Sequence, residues 1–408
     1  MTEVAIIGAG VVGLATALHL AHDGHEVTLL DPNDPGSGCS YGNAGTIADY
    51  AVQPVGTPDV LRALPRLLFD KSSPFSIRRA AIPALAPWLM RFARQSLPAA
   101  AKANAVALAG LLQDAGARWR DMAREVGASD LLQHRGCLYL YHDKAALLAA
   151  QTDMDFRRGL GVSVDLLDET ALAEMEPGLP QLAGAAYFGG AMFLSDPGAM
   201  MAQISRTVMG MGVRHLRQRV HTLQQGPNGV HLTGPGLDLH TRHVVIAAGA
   251  HSRDLARQAG DRAPLDTERG YHAEWDMQVP RLNRPACDTA RGFYLCPMTG
   301  RLRVAGTVEL GGLTAPVSQH RIEKLVQGAR AFFPELPEPD RTWMGFRPSM
   351  PDSLPVIGPS KAGAQVIHAY GHGHLGVTLA PVTAAIVADT LAGRAQSIDI
   401  APYRATRF

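Results

Sequence analysis

Arg347 has the side chain best suited to gripping a small acid. It lies in Met344-Gly345-Phe346-Arg347-Pro348, and proline on its C-terminal side places it on a defined turn rather than a floppy tail. Its planar fork of N–H donors matches a carboxylate two bonds at a time; the same fork also serves structural ion pairs. Shortly after it, Tyr370-Gly371-His372-Gly373-His374-Leu375-Gly376 opens a long apolar run. A helix starting there presents free N–H groups and a positive dipole end. His372-Gly373-His374 has the form of a metal pair, but no nearby carboxylate or thiolate completes a ligand set.

A third group of residues stands at the other end of the chain. Gly8-Ala9-Gly10-Val11-Val12-Gly13 follows the apolar run Val4-Ala5-Ile6-Ile7. Gly8 makes the tight turn, Gly10 lets backbone approach a pyrophosphate, and Gly13 lets the helix pack close to the strand. The helix start offers the phosphates its N–H groups. Asp31 stands 18 residues beyond Gly13, at the end of a second strand, where a carboxylate accepts from ribose hydroxyls and repels a 2′-phosphate. That disfavours NADP and leaves FAD and NAD both open.

The elements that must position these groups follow from periodicity and turn signals. Residues 4–31 read as strand, turn, helix, strand, and Asp31-Pro32-Asn33-Asp34-Pro35-Gly36 begins a loop reaching to 46. Residues 57–126 read as helices broken by prolines 65, 74, 83, 87 and 98. Gly136–Tyr141 reads as a strand, followed by a helix over 143–158 and another from Asp196-Pro197, an N-cap with proline in the first turn. Short strands are expected near 213–220 and 229–233, and a buried parallel-type strand at Val244–Ala248 runs into Gly249. Residues 264–345 read as mostly β, and the last helix runs from Leu375 to Leu391 with Gly393 as its stop.

A length of 408 residues suggests two domains. With 46% hydrophobic and 18% charged residues the composition is globular, and a net charge of +1 gives no field for nucleic acid. Cys39, Cys137, Cys287 and Cys296 form no CxxC pair, which favours a reduced, cytoplasmic setting. The apolar start lacks a basic leader and carries the glycine pattern, so it is not read as a signal peptide. No segment reads as long enough to span a bilayer. Between Leu61 and Gln113, eight basic residues (62, 66, 71, 78, 79, 91, 94 and 102) face one acid, Asp70, with Trp88 and leucines interleaved. That pattern suits either peripheral contact with a membrane or helices with a solvated basic face.

Two further segments bear on the cofactor. Ser40-Tyr41-Gly42-Asn43-Ala44-Gly45 is a small, polar loop that admits a bulky planar ring, with Ser40 and Asn43 offering hydrogen bonds and Ala44 and Gly45 offering room. Val244-Val245-Ile246-Ala247-Ala248-Gly249 lets another group pass close to the backbone at Ala248 and Gly249. With Gly345-Phe346-Arg347-Pro348 and Tyr370–Gly376, these segments resemble the family of FAD-dependent amine oxidoreductases over essentially the whole chain. That family includes D-amino acid oxidase, glycine and sarcosine oxidases, and bacterial D-amino acid dehydrogenases. The Ser40–Gly45 loop looks most like the dehydrogenase branch.

The resemblance implies an α/β fold with a discontinuous Rossmann-type FAD domain (1–50, 143–263 and 343–408) and a smaller mixed-sheet substrate domain (51–142 and 264–342). It implies FAD as cofactor and Arg347 as the clamp on a substrate carboxylate. The Gly371–Gly376 turn would face the negative charge that reduced flavin gains. Tyr271 and His272 fall where the substrate domain approaches the flavin, where Tyr271 helps hold the carboxylate, lines the pocket or packs in the core. Val220 falls where backbone meets adenine. Cys39, beside the flavin loop, reads as a buried thiol rather than a covalent attachment point. The expected reaction removes hydride from the Cα of a small D-amino acid, with D-proline or hydroxy-D-proline as candidates. The imine hydrolyses to a 2-oxo acid and ammonia, and electrons pass to a quinone or another acceptor. An oxygen-using oxidase of glycine, sarcosine or D-amino acids is the nearest rival. A non-catalytic flavin subunit would have no need of Arg347, and an NAD dehydrogenase would be colourless.

Overall fold

The computed structural model describes residues 2–69, 73 and 75–408, with the side chains of residues 64–69 outside that description. Lys71 and the side chain of Arg66, both in the basic stretch, therefore lie outside the described residues.

β1 (Glu3–Ile7) is hydrogen-bonded on both sides, to β2 (Glu26–Leu30) and to the strand His243–Ile246. With Arg214–Leu216 beyond β2, and Gly363–Tyr370 and Val356–Ser360 beyond His243–Ile246, they form a six-stranded sheet. The first five strands run parallel and Val356–Ser360 runs antiparallel. Val4, Ala5, Ile6 and Ile7 are buried, as a strand covered on both faces requires. Far-separated segments thus meet: β1 and Gly363–Tyr370 flank one strand. α1 (Val11–His22) packs against the closing helix, Gly376–Ala392. That helix ends at Gly393 with φ of 65°, the left-handed cap expected from the sequence.

A nine-stranded sheet forms the second layer. Its path runs Arg341–Ser349, Asp266–Asp276, Arg301–Leu310, Phe293–Met298, Ala286–Asp288, Cys137–Tyr141, Gly184–Phe188 and Asp165–Asp168, and Phe75–Ile77 pairs with Arg301–Leu310 off this path. The sheets divide the chain differently from the expected boundaries. Asp165–Asp168, Gly184–Phe188 and Arg341–Ser349 all join the large sheet: Gly184–Phe188 pairs with Cys137–Tyr141 and in turn with Asp165–Asp168, and Arg341–Ser349 pairs with Asp266–Asp276. Conversely, the helices Pro98–Leu112 and Ala115–Glu125 lie against the closing helix, where Trp119 Nε1 donates to the carbonyls of Val377 and Thr378 at 2.9 and 3.2 Å. Within the region read as mostly β, Gln319–Phe332 is a helix covering one face of the large sheet.

Trp88 does not face outward with the basic residues. It is buried, stacked on Phe92 with centroids 5.3 Å apart. Contrary to the sequence expectation, Gly373–Ala392 is long and apolar enough to cross a bilayer, with mean hydropathy 1.7. Most of it is buried, packed on α1 and on Ala115–Glu125.

Candidate functional site

A cavity of about 750 Å³ lies between the two sheets, lined by residues of both. Gly8, Ala9, Gly10, Val11, Val12, Asp31, Ser40, Asn43, Ala44, Val220, Ala248, Gly249, Tyr271, Arg347, His372, Gly373, His374 and Gly376 all line it. Of the remaining candidates, Gly13, Gly45, Gly371, Leu375 and His272 do not.

One end is built as a dinucleotide cradle. Gly8 takes φ of 107° where β1 turns toward α1, and its N–H donates to Leu30 carbonyl at 2.8 Å. A Cβ on Gly13 would collide with the Gly8 carbonyl, so the helix can sit this close to the turn only with glycine there. Gly10 is different: a Cβ would meet only Ser40 Oγ, at 3.4 Å. The protein does not fill that space, which suits close approach by a phosphate. Ser40 Oγ accepts from Val11 N–H at 2.9 Å, so its hydroxyl stands at the α1 N-terminus rather than over a planar ring. Asp31 accepts from Ala9 N–H through Oδ2 and from Asn33 N–H through Oδ1, both at 2.9 Å. These bonds fix the carboxylate while leaving lone pairs for ribose.

The loop after β2 is clamped by the large sheet. Trp343 packs so tightly on Gly42 that any Cβ there would collide with its ring. His272 Nδ1 faces Gly42 carbonyl at 3.1 Å and its ring stacks on Trp343. Arg303 Nη1 donates to the carbonyls of Tyr41 and Asn43, and its guanidinium lies 5.6 Å from the Tyr41 ring centroid. Arg303, Arg301 and Arg341 all engage Glu274. Burial pushes the Glu274 carboxyl up, but the arginines outweigh it and hold it down to about 2. His272 is buried behind this loop, its pKa depressed to about 4 by burial and by Arg303. It positions the loop and does not reach the cavity. Asn43 Oδ1 accepts from Gly45 N–H at 2.8 Å, bracing the turn. Gly45 takes φ of 80° because its neighbour there is the Leu194 carbonyl.

The other end gathers Arg347, Thr307, Glu268, Tyr139, Tyr294 and His374. Arg347 Nη1 donates to Thr307 carbonyl at 3.1 Å, while Nε and Nη2 have no hydrogen-bond partner among the described residues. Its guanidinium lies over Gly270, where a side chain would displace it. Burial lowers the Arg347 pKa from its ordinary value, opposed by Glu268 and Cys39; arginine stays charged regardless. Tyr294 donates to Tyr139 Oη at 3.3 Å.

The expectation that Tyr271 helps hold a carboxylate is corrected. Its side chain lines the cavity, but the hydroxyl donates to Glu309 at 2.6 Å, in a network with Arg269 and Arg78. Cys39 donates to Phe346 carbonyl at 2.7 Å, and burial raises its pKa to about 11, which leaves it a poor nucleophile.

At the start of the closing helix, Gly371 and Gly373 take φ of 85° and 55°. Burial depresses His372 to about 3, and its Nε2 sits 2.9 Å from Thr383 Oγ1. His374 faces the cavity, and burial followed by Arg347 depresses it to about 4. Both rings are neutral at pH 7, so positive potential at this turn comes from the helix start. His231, Asp238 and His240 form a group of metal-ligand types, but none lines the cavity, and the two imidazoles stack parallel, so their lone pairs do not converge.

Glu268, Thr307, Tyr139, Tyr294 and Trp343 were not singled out in the sequence. Only the small-residue run Gly42–Gly45 hinted that a bulky partner such as Trp343 must come close.

Comparison with known proteins gives the same arrangement an independent footing. Residues 3–390 match the family model described as FAD dependent oxidoreductase. A protein of Bradyrhizobium diazoefficiens named D-amino-acid oxidase is 34% identical, over 100% of this chain and 99% of its own. A D-amino acid dehydrogenase of Granulibacter bethesdensis is 29% identical over 100% of this chain and 99% of its own. The crystal structure of glycine oxidase from Geobacillus kaustophilus superposes with a TM-score of 0.78 at 26% identity, covering 100% of both chains.

Proposed function

The chain belongs to the FAD-dependent oxidoreductase family, and from that premise we propose that it oxidises small D-amino acids, with the Arg347 fork fixing the substrate carboxylate. FAD is the cofactor, and amino acids are the substrate class. The observation carrying the finer reading is that the open fork of Arg347 and the Gly8–Gly13 cradle share one cavity.

Bound flavin supplies a two-electron acceptor for hydride. Gly10, the α1 N-terminus and Ser40 would hold the pyrophosphate, Asp31 the ribose, and Val220 the adenine end. The loop at Asn43–Ala44 and the turn at His372–Gly376 would receive the ring. Arg347 orients the substrate so that its Cα–H faces the ring, and positioning supplies much of the rate. Tyr139 and Tyr294 line the cavity with Ala48 and Ala51. The bulk of the two tyrosine rings supports compact side chains, proline and hydroxyproline among them. The product imine hydrolyses to a 2-oxo acid and ammonia, or persists when cyclic.

The acceptor divides two readings. The Granulibacter relative's name supports a dehydrogenase passing electrons to a quinone, and the Bradyrhizobium relative's name supports an oxidase using oxygen. Exposed Ile82, Met90, Leu97 and Val106, beside exposed Arg79, Arg91, Arg94 and Lys102, support peripheral contact with an anionic membrane. Anaerobic mixing of the yellow protein with D- and L-amino acids, both prolines included, tests the substrate. Bleaching by small D-amino acids is expected, and bleaching by L-amino acids alone would overturn the assignment. Readmitting air then separates the acceptors.

A further inference from the structure

Glu268 is a buried carboxylate that the reaction described above leaves without a task. It is 6% exposed, yet it lines the cavity. It is the register partner of Arg347 across the paired strands Asp266–Asp276 and Arg341–Ser349, so the two side chains project from the same face. On its other side its register partner is Leu310, which carries no charge. Glu274 and Glu309 are each held by several arginines, whereas Glu268 forms no close ion pair with a described residue. Other groups act here only through Arg347: Cys39 from the flavin loop and His374 from the closing helix. Cys39 stays protonated and His374 neutral at pH 7.

We propose that Glu268 is the acceptor of the substrate's ammonium proton, an inference that rests on the amino-acid reading of this cavity. The charges make the case. Arg347 and ionised Glu268 sum to zero, and a zwitterionic amino acid adds none. Hydride cannot leave Cα until the nitrogen has a free electron pair, so one ammonium proton must go. Released to solvent, it would leave the buried site with a net negative charge, which costs several kcal/mol on the scale of buried unpaired ions (about 3 or more). Passed to a Glu268 oxygen, it leaves the total at zero. The N–H bond breaks, the proton joins the carboxylate, and the pair stays on nitrogen. That pair forms the C=N bond as hydride leaves Cα, and the two electrons go to the family's flavin. Burial raises the Glu268 pKa, opposed by Arg347 and the neighbouring Ser349 hydroxyl, which suits a group that must hold a proton transiently.

The test uses the FAD-loaded protein and whichever amino acid bleaches it. Glu268→Gln should slow anaerobic bleaching at neutral pH by roughly a hundredfold. Its rate should then climb tenfold per pH unit toward the amine's own pKa, while Glu268→Asp keeps the wild-type profile at a reduced rate. A Glu268→Gln profile that superposes on wild type overturns the proposal. A second measurement needs no variant: wild type titrated with propionate in weak buffer, at a pH where Glu268 is ionised. Propionate brings a carboxylate and no ammonium, so about one proton should be taken up per propionate bound, read with a pH indicator. Binding without proton uptake also overturns it. If no amino acid bleaches wild type, the substrate reading fails instead, and propionate uptake still reports on Glu268.

Discussion

Arg347 Nη1 donates to the carbonyl of Thr307 at 3.1 Å, and Thr307 holds that carbonyl in place from a left-handed backbone conformation, φ 57°. The register between Asp266–Asp276 and Arg301–Leu310 shifts at this point, and the bulge turns the Thr307 carbonyl toward the clamp. A β-branched residue in that conformation carries a strain of about 1–3 kcal/mol. Its hydroxyl also lacks a hydrogen-bond partner. Thr307→Gly should therefore raise the melting temperature, by the equivalent of about 1 kcal/mol. The freer carbonyl should raise KM severalfold. A lower melting temperature would show that the threonine side chain stabilises the bulge.

Removing the clamp separates substrate from cofactor. Arg347→Ala should lose at least a hundredfold in kcat/KM, from about 3 kcal/mol of charge-assisted contact, with the flavin spectrum retained. Arg347→Lys keeps the charge but not the fork, and should fall between. Steady-state kinetics beside visible spectra decide it, and near-normal turnover in Arg347→Ala would remove Arg347 from the site.

The two glycines flanking the start of α1 should respond oppositely. A Cβ at Gly10 meets only Ser40 Oγ at 3.4 Å, so Gly10→Ala should leave the apoprotein's melting temperature unchanged. It should weaken FAD binding by roughly tenfold or more, since a methyl group then stands where the phosphate approaches. Gly13→Ala collides with backbone and should destabilise apoprotein and holoprotein alike. Calorimetry on both forms, with FAD titration followed by fluorescence, distinguishes the patterns.

Acid should unfold the protein in two stages. His272 and His372 have folded pKa values depressed to about 4 and about 3, below the ordinary 6.5. The unfolded chain thus binds more protons below pH 6.5, and stability falls as pH drops from there toward 4. Glu274, at about 2 against an ordinary 4.5, contributes stability that is complete above pH 4.5 and lost as pH falls toward 2. Melting temperature against pH should show both slopes. His272→Gln should flatten the first and Glu274→Gln the second; unchanged slopes would mean these groups are not titrating on unfolding.

What the sequence disclosed was local. Gly8, Gly10 and Gly13 sit at fixed spacing because a turn and a helix start are made by neighbours in sequence, and the closing helix announces itself by composition and by Gly393. Arg347 stood out through its flanking residues. Glu268 and Thr307 gave no such signal, since each matters only through a strand paired across a distance in sequence. Asp165–Asp168 and Gly184–Phe188 drew no strand assignment from the sequence, and their place in the large sheet was not legible, because nothing local tells a strand which edge will accept it. Trp88 looked like part of a basic, amphipathic face, but burial is decided by what packs on top.

The packing of α1 on the closing helix has a consequence for biosynthesis. The phosphate cradle leaves the ribosome long before the turn at His372–Gly376. Until Gly376–Ala392 emerges, the flank of α1 that packs on it stays uncovered. Until then the nascent protein carries an exposed sticky surface and an incomplete flavin pocket. The pocket can close around a cofactor only once that helix is in place, and dependence on holdase chaperones should be greatest just before it emerges.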